Sequence, residues 1–177
     1  MCLAGAVDES RRDRFEAVAP GLVDPLRRFL ARRTDAATAD DVLAETLLVC
    51  WRRVAELPDD PLPWAYGVAR NCLRNAERSA RRQERVAARL AAEPADPGPP
   101  DDLALHEALA QLRPDDAELL RLWAWEQLTP AEIAVVLDIT ANAASIRLHR
   151  AREKLKDRLR KTADASGHEG SREGRKP

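Results

Sequence analysis

Apolar residues recur along this chain at intervals of three and four almost throughout, the spacing that lines one face of a helix. The first such region spans about Arg11 to Arg33, and Pro20-Gly21 and Pro25 predict interruptions in it, with residues 1–10 frayed ahead of it. Thr38, with Asp41 after it, predicts the opening of a second helix, running through Val42, Leu43, Thr46, Leu47, Val49, Cys50, Trp51 and Val54 to Leu57. The prolines of Pro58 to Pro63, PDDPLP, predict a loop, and a long helix follows from near Pro63 to about Leu90. Helical spacing resumes over Leu103 to Leu112 and over Pro114 to Gln127, the latter carrying Leu119, Leu120, Leu122 and Trp123.

The stretch from Leu128 to Leu155 carries the strongest local signals. Thr129, Pro130 and Glu132 have the order of a capping box with proline at the first helical position. Ile133, Ala134, Val136 and Leu137 then fit one face of a short helix. Asp138, which tolerates left-handed backbone, predicts the turn. In the next helix Ala144, Leu148, Ala151, Leu155 and Leu159 point to the core, and the other faces carry Arg147, His149, Arg150, Arg152, Lys154, Lys156, Arg158, Arg160 and Lys161. A short helix, a tight turn and a basic second helix have the form of a major-groove reader.

β-branched and aromatic residues are sparse, so the predicted class is all-α: two small helical domains joined by a flexible linker, the C-terminal one a helix-turn-helix. Glu93 to Asp102, EPADPGPPDD, cannot build a packed core and sets the boundary. The expected division is residues 11–91, a linker over 92–102, residues 103–162, and a disordered tail over 163–177.

Charge refines this picture. Across 177 residues, 29 Lys and Arg oppose 30 Asp and Glu, which excludes a uniformly basic coat. Between Trp64 and Arg89, however, Arg70, Arg74, Arg78, Arg81, Arg82, Arg85 and Arg89 face only Glu77 and Glu84. From Glu93 to Leu120 the balance is acidic, and after Ser145 it is basic again. The alternation predicts two nucleic-acid-facing blocks with an acidic connection.

Little in the chain favours catalysis. His106, His149 and His168 fall in separate segments, and no Gly-rich phosphate loop occurs. Cys2, Cys50 and Cys72 lack metal-ligand spacing, and the last two read as small buried residues. No metal, cofactor or catalytic residue is expected. With no signal peptide or membrane span legible, the expected location is the cytoplasm.

Thr38 to Arg82 resembles the second domain of extracytoplasmic-function sigma factors of the sigma-70 family. There an acid-led helix ending in a Trp-Arg-like pair precedes a loop and a helix of the form W-x-Y-x-I/V-A-R-N. The matching residues are Asp41, Glu45, Thr46, Trp51 and Arg52, then Trp64, Tyr66, Val68, Ala69, Arg70 and Asn71. Ala141 to Arg152, ANAASIRLHRAR, resembles the last helix of the family's fourth domain, roughly V-G-T-V-K-S-R-L-H-R-A-R. The resemblance covers about Arg14 to Lys161 in the family's order.

It implies a factor that binds core RNA polymerase and directs promoter-specific initiation. Asp41, Glu45 and Arg52 would make polar contacts with the clamp helices of the largest subunit, with Leu48 and Trp51 as partly apolar anchors. The flap region is a second implied contact on the polymerase. Asn71, Arg74, Asn75 and Arg78 would face the melted minus-ten element, while Trp64 and Tyr66 are expected in the core. Ser145, Ile146, His149 and Arg150 would meet base edges of the minus-thirty-five element, and Arg147 and Arg152 its phosphates. Promoter DNA and core polymerase are the implied partners, with an anti-sigma protein by family analogy and no membrane insertion.

Departures bear on the promoter. Ser145 and Ile146 stand where the family has Lys or Arg and then Ser; Ala143 and Ala144 replace Thr and Val. Ala44 and Asn75 replace a common Gln and a common Asp. Two alternatives remain at this point: a stand-alone helix-turn-helix regulator, and a sigma-like interaction module without promoter recognition. The first leaves the pattern in residues 40–82 unexplained.

Overall fold

The computed structural model describes residues 3–87 and 103–169. The described residues are helical, with no strand, in the order α1 (Leu3–Ala31), α2 (Ala36–Arg52), a 3-10 turn (Val54–Glu56), α3 (Pro61–Ala87), α4 (Leu103–Ala110), α5 (Pro114–Ala124), α6 (Pro130–Leu137) and α7 (Ala141–Glu169). They form two units, the first built on α1 to α3 and the second on α4, α5, the start of α6 and α7, with Val135–Asp138 grouped with the first. The all-α expectation holds. The expected linker lies outside the described residues.

In the first unit, α1 contributes Leu22, Leu26, Phe29 and Leu30, α2 contributes Val42, Leu43 and Cys50, and α3 contributes Ala65, Tyr66, Ala69, Cys72 and Leu73. Phe29 and Tyr66 pack ring to ring at 5.0 Å. Thr46 is fully buried, and its hydroxyl donates to the Val42 carbonyl at 2.7 Å, so the polar atom enters the core already partnered. At the other end of the bundle, Phe15 of α1 meets Trp51 edge-on at 5.4 Å. Arg11 and Arg14 donate to the carbonyls of Arg52 and Leu57, at 3.3 and 2.8 Å. These guanidinium groups thereby satisfy carbonyls that the end of α2 and the 3-10 turn leave without helical partners.

Three local expectations are corrected. The prolines do not interrupt α1: Pro20 and Pro25 lie inside one continuous helix. Each removes one backbone bond, but the apolar face from Leu22 to Leu30 holds the helix to the core. The cap of α2 is Asp35, not Thr38. Its Oδ1 accepts from the Thr38 backbone N–H at 3.0 Å, while the Thr38 hydroxyl donates to Oδ2 at 2.7 Å. The Thr38 backbone bond, then its hydroxyl, hold the Asp35 carboxyl below its ordinary value. α2 ends at Arg52 rather than Leu57, and α3 begins at Pro61 rather than Pro63, a proline in the first turn costing no helical hydrogen bond.

The second unit buries Ala108 and Leu109 of α4, Ala117, Leu119, Leu120 and Leu122 of α5, Leu128, Ile133 of α6, and Ala144, Leu148 and Ala151 of α7. Asp115 and Asp116 sit in the first turn of α5, where carboxylates complement the helix dipole. α5 stops at Ala124, short of the expected Gln127. Gln127 adopts a left-handed φ of 55°, and the Leu128 N–H donates to the Leu122 carbonyl at 3.2 Å.

The capping box is formed as expected. The Glu132 carboxylate accepts from the Thr129 N–H at 2.7 Å, and the Thr129 hydroxyl oxygen accepts from the Glu132 N–H at 3.3 Å. Asp138 has a φ of 53°, and the Ile139 N–H donates to the Ala134 carbonyl at 3.0 Å, closing α6 with the bond such a cap provides. Thr140 then caps α7, its hydroxyl oxygen accepting from the Ala143 N–H at 3.2 Å. α7 continues to Glu169, into the segment expected as a disordered tail, where Ala163 and Ala165 are strong helix formers. Residues 170–177 lie outside the described residues.

Cys50 and Cys72 are buried free thiols. Burial pushes the Cys50 thiol up to about 11 and also raises that of Cys72. With a pKa near 11, roughly one Cys50 thiol in a thousand is ionised at pH 8, and the thiolate is the reactive form. Alkylation at pH 8, read by peptide mass, is therefore expected to leave both unlabelled until denaturant is added. Rapid labelling of Cys50 in the native protein would contradict this.

Candidate polymerase and DNA interfaces

Three helix faces carry the residues singled out from the sequence. On α2 the core takes Ala39, Val42, Leu43, Thr46 and Cys50. Asp41, Glu45, Leu48 and Arg52 fall at spacings of four, three and four and are all exposed, so they form one stripe away from the core. Leu48 is the notable member, an aliphatic side chain 45% exposed between Glu45 and Arg52. Trp51 does not join the stripe fully. It is half-buried against Phe15, and the Arg11 guanidinium lies 5.8 Å from its ring centroid. Leu47 is half-buried.

On α3 the opposite side from Ala65, Ala69, Cys72 and Leu73 presents Asn71, Arg74, Asn75 and Arg78, all exposed, with Arg81 and Arg82 beyond them. The four predicted residues share one face. Tyr66 is 3% exposed and belongs to the core. Trp64 is half-buried, with the Arg53 guanidinium 5.2 Å from its centroid. Pro58, Asp59 and Asp60, just before α3, are exposed.

On α7 the buried stripe of Ala144, Leu148 and Ala151 leaves Ser145, Ile146, Arg147, His149, Arg150 and Arg152 exposed. Helical geometry places Ile146, His149 and Arg150 at the centre of the outward face. Ser145 and Arg152 lie on one flank and Arg147 on the other. Not every cation of the basic run is available to a ligand. Lys154 Nζ binds Asp116 at 2.6 Å, and Arg158 donates to the Gln111 side chain at 3.1 Å, tying α7 to α5 and to the end of α4.

Sequence reasoning missed two members of this surface. Asn142, exposed in the first turn of α7, shares the outward face with Ile146 and His149; the helical period alone identifies it. Trp123 of α5 is 39% exposed, and its ring carries the Arg152 guanidinium 4.5 Å from its centroid. That stack restricts where Arg152 points, and cation–aromatic pairs at exposed sites contribute about 0.5–1 kcal/mol. The partners are far apart in sequence, so no local pattern announces the contact. Among the described residues there is no cluster of His, Cys, Asp or Glu able to hold a metal ion, and no helix long and apolar enough to cross a membrane.

Among the described residues, then, the chain is helical, with a capped helix-turn-helix and two exposed helix stripes on α2 and α3. The sigma-70 region 4 family model matches residues 102–155, the whole helix-turn-helix with α4 and α5. The chain is 31% identical over 135 residues to the ECF RNA polymerase sigma factor SigL of Mycobacterium tuberculosis, covering 70% of this chain and 76% of SigL. It is 34% identical over 144 residues to "Probable RNA polymerase sigma factor RfaY" of Xanthomonas campestris, spanning 73% of this chain but only 36% of RfaY. The protein belongs to the ECF RNA polymerase sigma factors.

Solved structures agree in fold. The sigma factor RpoE of Bartonella quintana, in complex with the anti-sigma factor NepR, aligns with a TM-score of 0.62 at 21% identity, covering 82% of this chain and 96% of that one. CnrH, in complex with the cytosolic domain of CnrY, aligns at 0.56 and 23% identity over 87% and 93%.

Proposed function

We propose that the chain binds core RNA polymerase in the cytoplasm and directs it to promoters, with one task for each exposed helix face. The observation that carries this is the pair of stripes on α2 and α3. A stand-alone helix-turn-helix protein has no need of them, yet Asp41, Glu45, Leu48 and Arg52 line one, and Asn71, Arg74, Asn75 and Arg78 the other. The α2 stripe, with the exposed edge of Trp51, docks on the clamp helices of the largest polymerase subunit; the second unit meets the flap region. An anti-sigma protein is a further partner, supported by family membership and by the complex of RpoE with NepR.

The α3 face engages the minus-ten element once it is single-stranded. Extracting a base costs a few kcal/mol, so the protein must return a comparable amount. Exposed aromatic platforms contribute about 1–3 kcal/mol per stacked base, but Tyr66 is spent on Phe29 and Trp64 is half-buried under Arg53. The return therefore comes from the loop at Pro58 to Asp60 receiving a base, with Asn71 and Asn75 offering amide groups and Arg74 and Arg78 holding phosphates. Nucleotide hydrolysis is not required.

The α7 face enters the major groove of the minus-thirty-five element. Ser145, Ile146, His149 and Arg150 meet base edges, and Arg147 and the stacked Arg152 hold phosphates on either flank. A bidentate arginine–guanine contact is worth roughly 1–3 kcal/mol of discrimination. Arg150→Ala is accordingly expected to weaken cognate promoter binding about 5- to 150-fold, with polymerase affinity unchanged, as measured by electrophoretic shift of promoter duplex and by core titration. Unaltered promoter affinity would remove Arg150 from the reading set.

Run-off transcription with purified core polymerase on a fragmented genomic library tests the whole reading. New start sites that require the protein are expected, and their alignment would give both elements. Tight core binding without initiation would identify an interaction module instead, and duplex binding without core binding a stand-alone regulator.

A further inference from the structure

Ile146 is out of place on any structural account. It is 44% exposed, and the buried stripe of α7 runs through Ala144, Leu148 and Ala151 on another side of the helix. A β-branched residue is also a poorer helix former than the Ala, Arg and Leu around it. One turn away on the same helix, Asn142, His149 and Arg150 are exposed and polar, while Ala143 is small and half-buried. Among the described residues of α7 the other exposed large apolar side chain, Leu159, lies thirteen residues on and toward another flank, so Ile146 does not belong to the kind of contiguous patch on this helix that marks a protein-docking surface.

We propose that Ile146 reads a thymine methyl group in the duplex that α7 enters. The inference rests on the reading of α7 as a groove helix and adds the chemistry of one of its contacts. Base edges in the major groove present hydrogen-bonding groups with a single apolar exception, the C5 methyl of thymine. An exposed branched aliphatic side chain at the centre of the outward face has that methyl as its complement. Asn142 and Arg150, four residues to either side, can hydrogen-bond with the bases above and below it. Asparagine pairs with adenine and arginine with guanine. The recognised element is therefore one in which thymine is selected by shape and its neighbours by hydrogen bonding.

Uracil is thymine without the methyl, which makes the test direct. The protein bound to core polymerase would be used to select from randomised duplex pools copied with either dTTP or dUTP. The expected result is a motif in the thymidine pool containing a thymine whose replacement by uracil weakens binding about fourfold, the effect of burying one methyl-sized group. Ile146→Val should keep that preference. Ile146→Ser should bind the two duplexes equally, and as the position is exposed neither variant disturbs the core. Equal affinity of the unsubstituted protein for thymine and uracil at every position would overturn the proposal, as would a thymine preference surviving in Ile146→Ser. No motif from either pool would instead remove the groove-reading function, and the proposal with it.

Discussion

Phe29→Ala is expected to destabilise the first unit by about 3–5 kcal/mol, the range for truncating a buried aromatic ring. Phe29 is fully buried, its ring stacks on Tyr66 of α3 at 5.0 Å, and the Arg33 guanidinium lies 3.7 Å from its centroid. The substitution removes both ring contacts and leaves a hole where α1 meets α3. The loss is a large share of the roughly 5–15 kcal/mol that holds a folded domain, and for a unit of this size it lowers the melting temperature by at least about 12 °C. Indole NMR signals separate the two units, because Trp51 and Trp64 lie in the first and Trp123 and Trp125 in the second. The first pair should melt early while the second keeps its midpoint. A change below about 1 kcal/mol would mean that neighbouring side chains refill the site.

The parts of the fold that were legible from sequence are those fixed by short-range chemistry. Thr129 and Glu132 are three residues apart and form the capping box; Asp138 takes the left-handed turn. The same period that places Ala144, Leu148 and Ala151 in the core leaves the predicted α7 residues outside it. Failures arise where two local rules compete or where packing overrides one. Asp35 and Thr38 are both eligible caps, and only the structure shows the aspartate accepting from the threonine. Pro20 and Pro25 argue for breaks, but burial of Leu22, Leu26, Phe29 and Leu30 outweighs the bonds they remove.

The candidate site divides in the same way. The helical period alone groups the residues of the α3 and α7 faces, whereas the α2 residues follow from the family resemblance, and one of them, Trp51, is half-buried against Phe15. Which cations are already engaged was not available without coordinates. Lys154 and Arg158 look like their neighbours in sequence, yet they are joined to Asp116 and Gln111, while Arg152 lies on Trp123. Each of these pairs spans tens of residues, beyond any helical spacing. The consequence is that Arg152, Lys154 and Arg158 are already engaged within the second unit, which the composition of α7 does not reveal.

The second large effect concerns the polymerase. Leu48→Asp is expected to lower affinity for core RNA polymerase by at least about 2 kcal/mol, the threshold for a binding hot spot, or about 30-fold. Two losses combine. The aliphatic contact of a 45% exposed leucine disappears, and a carboxylate is desolvated on docking at a position where the native chain has an apolar side chain. The protein's own stability should change by no more than about 0.5 kcal/mol, since the position faces solvent in the free chain. Arg52 lies one turn on, so the new acid sits four residues before a cation, a favourable order in a helix. Fluorescence titration with purified core reads the loss, and duplex binding through α7 serves as the control, expected to be unchanged. If core affinity survives the substitution, the α2 stripe is not the docking surface. If core and duplex affinity fall together, the defect lies in folding, which the melting curve would show.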